Sequence, residues 1–232
     1  MQKIEVDNAE LDFRTKEAFK TLRTNIEFSG SDVKAFCVTS CTPNEGKSNT
    51  SFEVARSFAE NGKNVLLVDA DLRKSVMRKR HKRGTLRFGL SNFLAGQTEL
   101  SDILCMTNVR NMYMIFSGPV PPNPSELLGN HRFEVLMEAV RKTFDIIIVD
   151  TPPLGSVIDT AVVAKHCDGA VMVIESGIIS RRFARKVKEQ LEVTNCKILG
   201  VVLNKVAVSN NSYYGKYYGK YYGKYYGNYG HK

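Results

Sequence analysis

An apolar strand, a tight loop and a helix follow one another directly near the start of the sequence, and this arrangement limits the possible folds most. The segment Phe36-Cys-Val-Thr-Ser-Cys-Thr-Pro-Asn-Glu-Gly-Lys-Ser48 supplies the strand and the loop, and the helical pattern from Ser48 to Ala59 ends at Asn61-Gly62. In such a loop, backbone N–H groups and the helix N-terminus surround phosphate groups. The lysine reaches the outer phosphate oxygens and the serine hydroxyl binds Mg²⁺. The sequence therefore predicts a nucleotide-phosphate site at this loop.

The loop departs from the usual spacing at one position, where Cys41 replaces the glycine expected five residues before Gly46. The tripeptide alone is therefore a weak match to a phosphate-binding loop. We expect nucleotide contacts from the residues around the start of the helix, which are Asn44, Glu45, Gly46, Lys47, Ser48 and Asn49.

Carboxylates follow two further apolar strands. The first strand runs into Asp69 and Asp71, with Arg73 shortly after, and the second runs into Asp150. Because parallel strands bring their carboxyl ends to one edge of a sheet, we expect these side chains to converge on the phosphate loop. Each aspartate could instead cap local backbone, which is the more common fate of an aspartate after a strand.

Short runs rich in valine and isoleucine alternate with helical patterns along most of the chain. The predicted strands are Phe36–Thr39, Val65–Val68, Tyr113–Phe116, Ile146–Val149, Ala170–Ile174 and Ile198–Leu203. Several are apolar on both faces, as strands are when helices cover both sides of a parallel sheet. The pattern predicts an α/β fold of the P-loop type, with a doubly wound, mostly parallel sheet flanked by helices.

The helical segments have recognisable ends. Leu11–Phe28 is predicted to be a helix in front of the first strand. Pro124 is typical of the first helical position and would follow Asn123 as the cap. A charged helix is predicted to begin after Ser180 and to run to about Thr194.

Basic residues cluster between Arg73 and Arg87, where eight lysines and arginines stand without an acidic residue, in a chain of formal charge +9. Such a cluster suits nucleotide phosphates, an anionic membrane surface or nucleic acid. A solvated basic loop is an equally good interpretation.

The composition also predicts a compartment. No stretch approaches the roughly 20 uninterrupted apolar residues of a membrane span, and the N-terminus lacks the layout of a signal peptide. We therefore expect a cytoplasmic protein. The five cysteines form no C-x-x-C pair, which favours reduced thiols over disulfides or zinc.

From Ser209 onward the sequence is SNNSYYGKYYGKYYGKYYGNYGHK, which lacks aliphatic residues and predicts disorder. Apart from Tyr113, every tyrosine of the chain lies here. The candidate phosphate acceptors are Tyr213, Tyr214, Tyr217, Tyr218, Tyr221, Tyr222, Tyr225, Tyr226 and Tyr229.

These motifs and the tail together resemble the bacterial tyrosine autokinases that regulate capsule and exopolysaccharide synthesis, in particular their Gram-positive cytoplasmic kinase subunit. Gly46-Lys47-Ser48 matches the Walker A motif of that family, Asp69-Ala-Asp-Leu-Arg73 the A′ motif, and Ile146-Ile-Ile-Val-Asp150 the Walker B motif. The resemblance covers nearly the whole chain. It implies a non-specific protein-tyrosine kinase that uses ATP and Mg²⁺ and phosphorylates its own tail, with transfer between subunits.

The resemblance also implies roles for single residues. The implied catalytic group is Lys47, Asp69, Asp71, Arg73 and Asp150. Asp71 and Asp150 would hold Mg²⁺ together with Ser48, and Asp69 would accept the proton of the incoming hydroxyl. Asn204 would contact the adenine. The residues by themselves leave the division of roles between Asp69 and Asp71 open.

The same resemblance implies a ring, an octamer, held by an N-terminal helix with the pattern Glu-x-x-Arg-x-x-Arg. Here the series is Glu17, Lys20 and Arg23. Lysine lacks the planar two-pronged donor geometry of arginine, and an ordinary surface ion pair between Glu17 and Lys20 is the alternative. The implied organisation is an N-terminal helix over residues 1–30, a kinase domain over 31–206 and a tail over 207–232.

The implied partners are a transmembrane polysaccharide co-polymerase, which acts as an adaptor and recruits the kinase to the inner face of the plasma membrane, and a cognate tyrosine phosphatase. No dedicated nucleic-acid partner is expected. Two alternatives stay open. A positioning ATPase for plasmids or division machinery shares the fold, but carries an extra lysine where this chain has Thr42. A polyanion- or RNA-binding protein would use the tyrosines and lysines of the tail, and would leave the phosphate loop unexplained.

Overall fold

Parallel strands form the centre of the molecule, and helices lie on both faces of the sheet. The computed structural model describes residues 1–30 and 32–207. Within them the strands are β1 (Gln2–Lys3), β2 (Glu5–Val6), β3 (Ala35–Ser40), β4 (Val65–Asp69), β5 (His81–Arg83), β6 (Cys105–Met106), β7 (Met112–Ile115), β8 (Ile146–Asp150), β9 (Gly169–Glu175) and β10 (Ile198–Asn204).

The α-helices of the same residues flank this sheet. They are α1 (Phe13–Phe28), α2 (Lys47–Glu60), α3 (Leu90–Leu94), α4 (Leu100–Ile103), α5 (Pro124–Leu128), α6 (His131–Thr143), α7 (Asp159–Ala164) and α8 (Arg181–Glu192). A short 3₁₀ helix covers Met77–Arg80.

The main sheet has the strand order β1-β6-β7-β4-β8-β3-β9-β10. The strands from β7 to β10 in that order are parallel to one another, whereas β6 is antiparallel to β7. The carboxyl ends of β3, β4 and β8 consequently lie side by side. The register pairs Asp69 directly with Asp150, so two of the predicted site carboxylates leave the sheet next to each other.

Alternate residues of the central strands face two hydrophobic cores, one on each side of the sheet. On one side, Cys37 of β3 belongs to a cluster with Phe133 of α6. On the other side, Phe36 belongs to a cluster with Phe58 of α2. All four side chains are completely buried. Burial on both faces is why the central strands are apolar up to their carboxyl ends, and the predicted doubly wound α/β fold is confirmed.

Each of the six predicted strands is present, with ends that differ from the prediction by at most one residue. The predicted helix Leu11–Phe28 begins at Phe13, because the carboxylate of Asp12 accepts a hydrogen bond from Thr15 N–H (3.1 Å) and caps it. This helix is not the first element of the chain. The unpredicted strand β1 precedes it and joins the main sheet beside β6.

The helix predicted from Pro124 is much shorter than its neighbour in the chain. It ends at Leu128, and α6 begins after Asn130, whose side chain accepts a hydrogen bond from Phe133 N–H (3.3 Å). Asn123 stands at the cap position as predicted, but its side chain makes no capping hydrogen bond and donates to Glu126 instead. The predicted cap at Ser180 is confirmed by its hydrogen bond from Phe183 N–H (3.2 Å), and that helix ends at Glu192 rather than at Thr194.

Among residues 1–30 and 32–207, no helix combines the length and the apolar character that crossing a membrane requires. The tail tyrosines named above as candidate acceptors lie outside the described residues, and so does the disorder predicted from Ser209 onward.

Candidate nucleotide-binding and catalytic site

The phosphate loop joins β3 to α2, and its backbone explains which positions need glycine. Gly46 has a φ of 92°, and a Cβ placed on it would lie 2.2 Å from Nδ2 of Asn204. Asn44 also adopts a left-handed conformation, with a φ of 70°. Cys41 is not among the positive-φ residues and is completely buried, with the pKa of its thiol raised by burial to about 11. The unusual cysteine therefore occupies a position where this loop requires no glycine.

Glu45 stabilises the loop from within, since its side chain is almost completely buried. One carboxylate oxygen accepts hydrogen bonds from the backbone N–H and the hydroxyl of Thr42, and the other accepts from Glu175 N–H (2.9 Å). Asn204 donates to the Glu45 carbonyl (2.9 Å), and the ammonium of Lys205 donates to the Asn44 carbonyl (2.8 Å). The end of β10 is thus fastened to the loop.

Lys47 is the first residue of α2 and lies where the two aspartate-bearing strands end. Its Nζ is 3.1 Å from Oδ2 of Asp71, 3.9 Å from Oδ2 of Asp150 and 3.2 Å from Oγ of Ser48. Burial alone would lower the pKa of the ammonium group, but the charges of Asp150 and Asp71 raise it above its ordinary value. Lys47 therefore stays charged, and only 8% of it is exposed.

Asp150, at the end of β8, is 1% exposed and accepts a hydrogen bond from the Ser51 hydroxyl (3.0 Å). Burial raises its pKa, although Lys47 and the hydroxyls of Ser48 and Ser51 oppose that rise. A buried carboxylate held among hydroxyl groups and one ammonium group is an arrangement that a cation would stabilise further.

Asp69, at the end of β4, is completely buried. Its Oδ2 accepts hydrogen bonds from the Ser75 hydroxyl and from Ser117 N–H (3.3 Å), whereas its Oδ1 is buried without a partner. Burial and then the charge of Asp150 raise the pKa of this carboxyl to about 7. A carboxyl with that pKa exchanges a proton readily near neutral pH. Asp69 also binds local backbone through the Ser117 N–H group, as the capping alternative predicts.

Arg73 points to a partner that the sequence did not reveal. Its Nε and Nη2 donate to the two carboxylate oxygens of Asp159, at 2.7 and 2.9 Å, and Ser125 donates to the same carboxylate (2.6 Å). Burial would raise the pKa of Asp159, but its hydrogen bonds to Arg73 and Ser125 lower it. Because Arg73 N–H also lies 3.3 Å from Asp71, this ion pair holds the segment that carries Asp71.

The remaining predicted residues take different positions. Asn49 lies on the exposed side of α2, and its amide oxygen accepts a hydrogen bond from Arg80. Asn204 reaches the loop through Glu45, as described above. Glu17 and Lys20 form an ion pair on α1 (2.6 Å), and Arg23 donates to the carbonyl of Ser57 on α2 (3.0 Å). The surface ion pair considered as an alternative is therefore present.

The site fits a metal ion that is bound together with phosphate. In the described part of the chain, no three histidine, cysteine, aspartate or glutamate side chains form a metal cage. Oxygen atoms of Ser48, Asp71 and Asp150 instead lie within 3.9 Å of the Lys47 ammonium group. Mg²⁺ commonly takes one or two carboxylates and completes its shell with substrate phosphates and water. The donor set matches that habit.

Comparison with known proteins decides the family. A model described as an AAA domain matches residues 43–191. The tyrosine-protein kinase CpsD of Streptococcus agalactiae is 47% identical over 209 residues, which are 88% of this chain and 91% of that protein. The corresponding kinase of Streptococcus pneumoniae is 43% identical, with 92% and 95% covered. The chain belongs to the bacterial tyrosine-protein kinases. Its enzyme class is therefore that of a protein-tyrosine kinase.

Solved structures agree with this family. The kinase domain of Escherichia coli tyrosine kinase ETK is 32% identical and superposes with a TM-score of 0.77, covering 85% of this kinase and 79% of that chain. The chimerical protein CapA2B2 is 30% identical, with a TM-score of 0.80 and coverages of 88% and 93%. The septum site-determining protein MinD of Pyrococcus horikoshii shares the fold alone. It is 22% identical, with a TM-score of 0.64 and coverages of 76% of this kinase and 72% of that chain. The kinase thus has a P-loop nucleotide-binding fold.

Proposed function

We propose that this kinase transfers the γ-phosphoryl group of Mg-ATP to tyrosines of its own tail, mainly between subunits, and thereby regulates capsular or exopolysaccharide synthesis and export. One observation carries the proposal. Lys47 reaches Asp71 and Asp150, and Asp150 is paired across the sheet with the completely buried Asp69, whose pKa is about 7. A charged lysine, two carboxylates and a group that can take a proton are the parts that phosphoryl transfer requires.

The residues divide the work as follows. The loop N–H groups and Lys47 would hold the phosphates, and Ser48, Asp71 and Asp150 would hold Mg²⁺, which neutralises charge on the phosphate oxygens. In the transfer, the tyrosine oxygen forms a bond to the γ-phosphorus, the bond from that phosphorus to the β-phosphate oxygen breaks, and ADP leaves. Asn204 at the mouth of the loop would lie along the adenine.

Asp69 would accept the proton of the tyrosine hydroxyl. Its Oδ1 has no hydrogen-bond partner, so one lone-pair position is free to receive that proton. Because the carboxylate is completely buried, the hydroxyl would pass its proton to Oδ1 through one water molecule. Arg73 would act indirectly. Its ion pair with Asp159 would hold the segment that carries Asp71, one of the proposed Mg²⁺ ligands, in place.

The oligomer and the partners form a further part of the proposal. We infer a ring, an octamer, in which Glu17, Lys20 and Arg23 of α1 contact a neighbour. In the ring, these side chains would either keep the Glu17–Lys20 ion pair and the Arg23–Ser57 hydrogen bond and add contacts to the neighbour, or replace both with contacts to the neighbour. A transmembrane adaptor would activate the kinase at the inner face of the plasma membrane, and a phosphatase would reset the tail. The proposed units are residues 1–30, 31–206 and 207–232.

The test is to incubate the purified protein and an activating adaptor peptide with Mg-ATP and to map phosphate by mass spectrometry. We expect phosphate on tail tyrosines, and none with Lys47→Met or with a chain truncated after Lys205. Lys63→Met is the matched control, because Lys63 is an exposed lysine just beyond the far end of α2. The proposal would be refuted if the Lys47→Met variant still phosphorylated its tail, or if the wild-type protein never carried phosphate on tail tyrosines.

Mixing the truncated chain with the Lys47→Met chain tests transfer between subunits. The first has no tail tyrosines and the second has no working site, so phosphate on the tail of the second requires transfer between chains. ATP hydrolysis without phosphotyrosine would favour a positioning ATPase instead. Against that alternative, the extra lysine such ATPases carry is here Thr42, whose N–H and hydroxyl are both bound to Glu45.

A further inference from the structure

A groove opens beside the carboxyl end of β7, next to the candidate site and distinct from the phosphate loop. Its volume is about 260 Å³. Leu86, Phe88, Phe116 and Pro119 supply apolar walls, and the side chains of Arg78 and Arg87 also line it. The groove is smaller than the roughly 300–1,000 Å³ of typical small-molecule sites, and suits a single aromatic side chain.

One lining residue of the groove, Gly118, is in close backbone contact with Gly89. A Cβ on Gly89 would lie 2.3 Å from the backbone nitrogen of Gly118, whose own φ is 81°. Leu90 N–H donates to the Phe116 carbonyl (2.7 Å) and Ser91 N–H donates to the Ser117 carbonyl (2.9 Å). These contacts hold the loop after β7 against the start of α3, so the groove is part of the folded framework.

The same loop connects the groove to the proposed base. Phe116 and Gly118 line the groove, and the residue between them, Ser117, donates its N–H to Asp69. A chain seated in the groove therefore passes close to the carboxylate that would receive the tyrosine proton.

The charge of the groove identifies its ligand. Neither Arg78 nor Arg87 has a carboxylate partner within 4 Å in residues 1–30 and 32–207, and no acidic side chain lines the groove. Two guanidinium groups without a carboxylate partner, in one groove with aromatic and aliphatic walls, match an aromatic ring that carries an anion. Arginine binds phosphate oxygens through paired N–H donors, so phosphotyrosine is the fitting side chain.

The tail supplies that side chain only after modification. Residues 208–232 contain nine tyrosines, four lysines and no acid, so the unmodified tail is repelled by the two arginines. Each phosphate adds about −1.5 to −2 charges. The described chain ends after β10, five strand positions from β7, a distance of roughly 24 Å at about 4.8 Å per strand. Fully extended, the 25 residues beyond 207 reach roughly 85 Å, several times that distance, which leaves enough length to enter the groove of a neighbouring subunit, as transfer between subunits requires.

We propose that this groove, between Arg78 and Arg87, binds phosphotyrosines already made on the tail and so retains the tail for further rounds of transfer. Eight of the nine tail tyrosines form four adjacent pairs, which repeat every four residues. At about 3.5 Å per extended residue, a seated phosphotyrosine keeps the next pair within roughly 14 Å. The inference rests on the proposed kinase function, because only that function makes phosphotyrosine on the tail.

The test measures peptide binding by fluorescence polarisation, without ATP, on the full-length dephosphorylated protein. The probe is a peptide of residues 213–224 with phosphate on Tyr217 and Tyr218, and the same peptide without phosphate is its control. We expect the phosphopeptide to bind at least roughly tenfold more tightly than the unmodified peptide. Arg78→Gln with Arg87→Gln should remove that preference.

Arg83→Gln is the matched control variant. Arg83 lies in the same basic segment, is largely exposed and does not line the groove, so its removal should change phosphopeptide affinity less than about twofold. Circular dichroism checks the fold of each variant. If the double variant does not fold, Arg87→Gln alone carries the test, because Arg87 is exposed on a loop.

Three results would overturn the inference. The first is equal affinity of the protein for both peptides. The second is an equal loss of phosphopeptide affinity in Arg83→Gln and in the groove variants. The third is binding of phosphatidylserine vesicles that depends on both arginines, in a protein that does not prefer the phosphopeptide to the unmodified peptide. Peptide binding does not depend on ATP. If tail phosphorylation occurs and the phosphopeptide does not bind, the groove inference alone is wrong. If no tail phosphate forms at all, the kinase proposal is wrong.

Discussion

Replacing Asp69 with asparagine should stabilise the folded protein from about pH 7 upward, and its free energy of unfolding relative to wild type should increase between pH 5 and pH 8. Asparagine can place its oxygen where Oδ2 accepts hydrogen bonds from Ser75 and Ser117, and its NH₂ group where Oδ1 has no partner. The substitution therefore removes a buried charge with little change of shape. Its cost is one buried amide donor without an acceptor, of about 1–3 kcal/mol.

The magnitude follows from the pKa of Asp69, which burial and then the charge of Asp150 raise from 3.8 to about 7. Since the folded state holds this proton more tightly than the unfolded state, wild-type stability falls as pH rises from about 4 to about 7. The whole shift corresponds to about 4 kcal/mol, and roughly 3 kcal/mol of it develops between pH 5 and pH 8. The asparagine side chain of the Asp69→Asn variant does not titrate, so the free-energy difference between variant and wild type should widen by that amount.

Urea unfolding between pH 5 and pH 8, without nucleotide or Mg²⁺, measures this difference at each pH. Asp159→Asn is the matched control. Asp159 is also completely buried, but Arg73 and Ser125 lower its pKa, and the stability such a group contributes is lost only as pH falls below about 4. Its substitution should cost a constant amount over the same range. A difference for Asp69→Asn that does not change with pH would refute the raised pKa and, with it, the argument for Asp69 as a base.

Three more predictions follow from the site. Gly46→Ala should abolish ATP binding in calorimetric titrations, because the added Cβ would lie 2.2 Å from Asn204. Gly62→Ala is the control, since Gly62 has a similar φ of 86° but open space around it, and its substitution should reduce only stability. Equal ATP affinity in both variants would contradict this prediction. Glu45→Gln should weaken ATP binding roughly tenfold, because an amide NH₂ would face an N–H donor of Thr42 or Glu175, and unchanged affinity would show that the bridge does not shape the loop. The rate of tail phosphorylation at saturating Mg-ATP should rise with pH to a plateau, with a midpoint at or below about 7 since bound Mg²⁺ lowers the pKa of Asp69; a flat profile from pH 5.5 to 8.5 would argue against a carboxylate base.

The long strands and the convergence of the site could be predicted because both follow from local pattern and general topology. Ile146–Val149 is apolar on both faces, which requires helices on both sides of a parallel sheet, and such a sheet delivers Asp69 and Asp150 to one edge. The strands β1, β2, β5 and β6 are two or three residues long. They are too short to show a periodic pattern, and only their pairing partners define them.

Contacts between distant segments could not be predicted. The partner of Arg73 is Asp159, 86 residues further along, and the partner of Glu45 is the backbone of Glu175, 130 residues further along. One sequence gives no signal for either pair. The break at Gly129 and Asn130 does have a local signal, since Asn130 precedes an amphipathic segment and is a favourable cap. The proline at 124 is also a helix-start signal, and the two signals are only six residues apart.

The hydrogen bonds between the end of β10 and the phosphate loop couple the position of the tail to nucleotide affinity. Asn204 and Lys205 hold the carbonyls of Glu45 and Asn44, and the proposed tail begins at residue 207, two positions after Lys205. Any pull on the tail from a neighbouring subunit is thus transmitted to the loop over a few covalent bonds. Thermodynamic reciprocity then requires that a ligand in the loop alters how readily the tail can be drawn away, so an engaged tail and a filled nucleotide site would each report on the other.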